Sequence, residues 1–106
     1  MRAPTVEELR DHARSNPTKV FHMDDGCGCL AHSLTGCFTG LNAIYHGTTN
    51  YLLPGAFVTF LSHLLSERTD DEYTGAELDR ALSSIIDGES PLNVADTLLE
   101  TRREHA

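Results

Sequence analysis

Residues 29–46 read CLAHSLTGCFTGLNAIYH, and the winding of this stretch decides what kind of molecule the chain makes. At 100° per residue, Leu30, Leu34, Cys37, Phe38, Leu41, Ile44 and Tyr45 fall on one stripe, the pattern of a helix with an apolar side turned inward. Gly47 follows and can close that helix in the left-handed conformation. The opposite face carries Cys29, His32, Ser33, Gly36 and Gly40. Two glycines inside a helix cost about 1 kcal/mol each against alanine, so another backbone is expected to lie close over Gly36 and Gly40. Packing within the chain, a homodimer through this face, or a bound partner would each supply it.

Working outward, the N-terminal side opens with Thr5-Val6-Glu7-Glu8, a reciprocal capping box, and Val6, Leu9 and Ala13 then recur at helical spacing. Ser15-Asn16-Pro17 stops that helix, because the residue before a proline is pushed out of the α region. Lys19–Met23 reads as a short extended piece, too brief to found a sheet, and Asp24-Asp25-Gly26 as a turn.

On the C-terminal side Thr48–Leu53 is a connector and Pro54 a first helical residue, with Phe57, Phe60, Leu61, Leu64 and Leu65 on the next apolar face. That helix runs to about Arg68. Thr74 with Glu77 forms a second capping box, ahead of Leu78, Ala81, Leu82, Ile85 and Ile86, and Gly88 ends this fourth helix. Ser90-Pro91 starts the last one, with Leu92, Ala95, Leu98 and Leu99 inward, and Arg102 and Arg103 sit in its final turn, where the helix dipole favours cations. The expectation is one all-α domain over residues 1–106, a compact bundle of about five short helices joined by short loops.

Composition narrows the function. No apolar run approaches the ~18 residues that span a bilayer, and the N-terminus lacks the hydrophobic block of a secretion signal. Three cysteines, an odd number, argue against a secreted disulfide framework and fit a reducing compartment, so a cytoplasmic protein is expected. The net charge of −8 is uneven: residues 1–66 carry five acids and four bases, residues 67–106 eleven acids and four bases. Such a surface repels phosphate backbones and suits a basic protein partner.

The cysteines invite two sharper readings. His22, Cys27, Cys29 and His32, with Asp24 beside them, offer the sulfur and nitrogen ligands of a structural zinc site, Zn2+ being the first metal to consider. Only Gly28 separates Cys27 from Cys29, however, where zinc sites favour two to four residues. Cys37 is excluded: along one helix it lies about 12 Å from Cys29, beyond the ~7 Å that a disulfide tolerates, and it falls on the apolar stripe. A thiol enzyme would use Cys29, at a helix start, with His32 one turn on. No residue is placed to orient that histidine, and Asp24 and Asp25 would raise a nearby thiol's pKa. No catalytic residue is assigned.

The acids Glu67, Asp70, Asp71, Glu72, Glu77 and Asp79 face one base, Arg68, in the same stretch. An acid in a first helical turn accounts for Glu77 alone. Consecutive loop acids rarely converge as a catalytic pair, and the alternating ligands of a calcium loop are missing. These six are therefore the candidate docking residues for a basic partner. Asn16-Pro17-Thr18-Lys19, Met23 and Cys27-Gly28-Cys29-Leu30-Ala31 together resemble short uncharacterised proteins of bacteria and their phages, in which Cys-Gly, a gap and Cys-(Ile/Leu)-Ala-Gly open a helix. Here the gap is closed and His32 stands in place of the glycine. The resemblance implies a small bacterial or phage accessory protein and gives no residue a role. The function expected is that of an adaptor or inhibitor that acts by docking.

Overall fold

The computed structural model describes residues 4–23, 30, 34, 54–67 and 72–104. They form four helices and one two-stranded sheet, in the order α1 (Val6–Ser15), β1 (Val20–His22), α2 (Gly55–Glu67), β2 (Glu72–Thr74), α3 (Gly75–Ile86) and α4 (Pro91–Glu104). The protein is mostly helical, as its periodicity predicts. The expected second helix, over 29–46, falls outside the described residues except at Leu30 and Leu34. Both have helical backbone, one turn apart; Leu30 is buried and Leu34 packs against the core.

α1 begins as its capping box dictates. Thr5 Oγ1 accepts from Glu8 N at 3.1 Å while Glu8 Oε1 accepts from Thr5 N at 3.2 Å, satisfying two donors that a helix start leaves open. The chain then turns at Asn16–Lys19, where Lys19 N donates to Asn16 O at 3.2 Å, and enters β1.

Here the structure corrects the sequence reading. Lys19–Met23 does found a sheet: β1 pairs antiparallel with β2, with Val20 opposite Thr74, Phe21 opposite Tyr73 and His22 opposite Glu72. Three residues are too few to hold a strand by themselves. What holds this one is the burial of Phe21 and Tyr73 across from each other, both fully enclosed. Val20, Phe21, His22 and Met23 alternate exposed and buried, the period of a half-buried strand.

β2 runs directly into α3. Thr74 is the last strand residue and also the helix cap, two roles that share one extended backbone conformation (φ −79°, ψ 159°). Its box closes through Glu77 N to Thr74 Oγ1 at 3.2 Å and Thr74 N to Glu77 Oε1 at 3.0 Å. The first two helical N–H groups are taken by the α1–β1 turn, Gly75 N donating to Lys19 O at 2.9 Å and Ala76 N to Pro17 O at 3.0 Å. These bonds press the start of α3 so close to that turn that a Cβ at Gly75 would overlap the carbonyl oxygens of Asn16 and Ala13.

α3 ends as the sequence predicts. Gly88 is left-handed (φ +102°), Glu89 N donates to Ser84 O and Gly88 N to Ile85 O, the paired bonds of a glycine stop. α3 packs along α1 and α2 along α4, and all four helices share one core built on Leu9, Phe21, Phe57, Phe60, Leu61, Leu64, Tyr73, Leu78, Leu82, Ala95 and Leu99. One inward assignment fails: Leu92 is 47% exposed and Val94 takes its place. The buried set of α4 is Val94, Ala95, Leu98 and Leu99, and Leu92, in the first turn, lies off the edge of that stripe.

Candidate binding groove and acidic face

Two of the candidate docking acids are engaged inside the fold. Glu77, half-buried, is gripped by Arg102 of α4, whose Nε and Nη2 donate to the two carboxylate oxygens at 2.8 and 2.9 Å. The same guanidinium lies 4.3 Å from the centroid of the Tyr73 ring, a cation–π contact. Burial pushes the Glu77 carboxyl up, but the Arg102 fork and the bonds from Thr74 outweigh it and hold it below the ordinary glutamate value. Asp79 points the other way along α3, accepting from Arg14 Nε of α1 at 3.2 Å through both oxygens and from Ser83 Oγ at 3.2 Å.

Glu72 is exposed on β2, with its Oε1 3.6 Å from Nδ1 of His22, the residue opposite it in the sheet. His22, the first of the candidate zinc ligands, is thus exposed beside a carboxylate. Cys27, Cys29 and His32 lie outside the described residues, as do Asp70, Asp71, the Glu67 side chain, and Gly36 and Gly40. Among the described residues no three His, Cys, Asp or Glu side chains cluster to hold a metal ion.

A pairing that the sequence gave no sign of joins α2 to α4, with His63 Nε2 donating to Asp96 Oδ1 at 2.7 Å. Three further acids of the C-terminal part, Asp87, Glu89 and Glu100, are exposed. Among the described residues the helices are too short or too polar for any to cross a membrane.

Between α3 and α4 runs a groove of about 690 Å³. One wall is a single face of α3, with Ala76, Glu77, Arg80, Ala81 and Ser84 at helical spacing. The other is a face of α4, with Asn93, Val94, Thr97, Leu98 and Thr101, and Glu89 and Ser90 stand at the turn that joins the walls. Ala76, Ala81 and Ser84 on the α3 wall are small, and Ala81, Val94 and Leu98 form an apolar floor. Thr97 and Thr101 hydroxyls donate back to the carbonyls of Asn93 and Thr97 at 2.9 Å, which leaves their oxygen lone pairs available. The groove was legible in principle, as a stripe of short polar residues at 90, 93, 97 and 101 opposite small residues at 76, 81 and 84. Sequence reasoning followed the apolar stripes and passed it by.

Its volume suits a bound group or a few side chains of a partner, and its surroundings carry no arrangement of nucleophile, base and orienting residue among the described residues. No protein family matches the chain, and no curated protein or solved structure matches it either.

Proposed function

We propose that this chain is a small acidic cytoplasmic protein, an adaptor or inhibitor of the phage-accessory kind, that works by docking to a basic surface of a protein partner. Its framework in this reading is a compact five-helix bundle, with its second helix over residues 29–46. The carrying observation is where the acid excess goes. Glu77 and Asp79 are used to fasten α3 and Asp96 meets His63, yet the C-terminal part still exposes Asp87, Glu89 and Glu100 against Arg80 and Arg103. Uncompensated surface acids steer a basic partner and raise its rate of encounter, while a phosphate backbone is turned away.

Affinity capture from the source cells at rising salt tests this. Recovery of the same basic partner that falls with ionic strength, and is lost when Asp70, Asp71, Glu72, Asp87 and Glu89 are changed together to Asn or Gln, supports the reading. Equal recovery by that variant at every salt concentration removes it.

A further inference from the structure

We propose that the groove between α3 and α4 receives a short amphipathic helix of the partner, with that helix's basic residues at the α3–α4 turn. This rests on the docking reading above and adds to it a place, an occupant and an orientation.

Three observations combine. The first is shape: the α3 wall from Ala76 to Ser84 spans nine residues, about 12 Å at helical rise, so it accommodates roughly two turns of an incoming helix. The second is chemistry along the walls. An apolar floor at Ala81, Val94 and Leu98 lies beneath a rim of Ser84, Asn93 and Thr97, which matches one apolar stripe flanked by polar side chains. The third is charge. Asp87 and Glu89, both exposed and without an ion pair among the described residues, stand at the turn, whereas Glu77, at the far end, is neutralised by Arg102. Arg80, exposed and without an ion pair among the described residues, sits on the rim between these ends. The occupant's lysines or arginines therefore belong beside Asp87 and Glu89, and an acidic or neutral residue belongs about two turns further on, opposite Arg80. A small anion is disfavoured by the same two acids.

The probe is a fluorescein-labelled helical peptide with leucines at i, i+4 and i+7, lysines clustered at one end and a glutamate two turns from them, followed by anisotropy. The full chain is expected to bind it saturably. Ser84→Trp, which fills the groove from α3, and Asn93→Trp, at an exposed position on the facing wall, should each weaken binding at least tenfold with an unchanged circular dichroism spectrum. The pair Asp87→Asn and Glu89→Gln should weaken it roughly fourfold, the scale of two exposed charge contacts. Folded tryptophan variants that bind as the parent does overturn the inference, and so does an absence of saturable binding by the parent. So does a dimer of the parent that Asn93→Trp dissolves, since a second copy would then be the occupant. None of these three results touches the salt-dependent capture, by which the docking reading itself is judged.

Discussion

Arg102 holds Glu77 with two parallel bonds across twenty-five residues of sequence, and that grip joins the first turn of α3 to the last turn of α4. Glu77 works twice, because the oxygen that Arg102 Nη2 reaches also accepts from the Thr74 backbone. Substitution to Gln removes the charge on both and should destabilise the protein by about 1–2 kcal/mol, the scale of bonds to a charged group. Asp79→Asn should cost less, about 0–1 kcal/mol, since its partner Arg14 is more than half exposed and such pairs are weak. Urea midpoints of the two variants check the order.

Acid should act through the same residue. The carboxyl of Glu77 is held below its ordinary value, so its stabilising share is complete above the unfolded glutamate value and disappears as pH falls through the folded one. The stability gap between the parent and Glu77→Gln should be constant from neutral pH to about pH 5 and should close further down. A gap that stays open at the acid end would contradict the assignment.

His12 should produce a separate effect nearer neutrality. Burial lowers its pKa and the charge of Lys19 lowers it further, while its ring meets Phe21 edge-on at 6.1 Å. The folded state therefore resists protonation that the unfolded chain accepts. Stability attributable to His12 is present above about pH 6.5 and is lost as pH drops through the lowered folded value. His12→Gln should flatten the loss of thermal midpoint between pH 7 and 5.

Gly75 is fixed by crowding and not by backbone angle. Gly75→Ala forces a methyl into the carbonyls of Asn16 and Ala13 and should cost about 1–3 kcal/mol. Gly55→Ala, at the start of α2 with nothing within 4 Å of the added carbon, should be neutral or stabilising by about 0.5–1 kcal/mol. Thermal melts of the pair separate contact from helix propensity.

Phe21 and Tyr73 make the sheet. Phe21→Ala should cost about 3–5 kcal/mol, the toll of emptying a fully buried aromatic site. Loss of protection from hydrogen exchange should be greatest at the amides of Gly75 and Ala76, whose bonds run to the turn before β1.

What the sequence revealed was what acts over four residues. Both capping boxes, the stop at Gly88 and the stripes of α1, α2 and α3 rest on spacings that a reader can count. The rest depends on residues far apart in the chain. β1 is recognisable only beside β2, some fifty positions on. Arg14 meets Asp79 sixty-five residues away, and no local pattern assigns either as a partner. Glu77 was readable as a cap and as a docking acid, but its hold on Arg102 appears only when α3 and α4 are laid side by side. Glycine crowding was expected at Gly36 and Gly40, which lie outside the described residues, and was found at Gly75, where the cause is a turn sixty positions upstream.

The pairing of residues 20–22 with 72–74 also carries a kinetic consequence. Phe21 reaches Tyr73 only after the intervening chain has been drawn into a closed ring, and the entropy of that closure is spent before any of the contact energy returns. α3 and α4, joined by a short turn, face no such delay. The protein should therefore assemble from its C-terminal hairpin of helices, with the N-terminal segment arriving last, and mutations at Phe21 should speed unfolding while leaving the refolding rate nearly untouched.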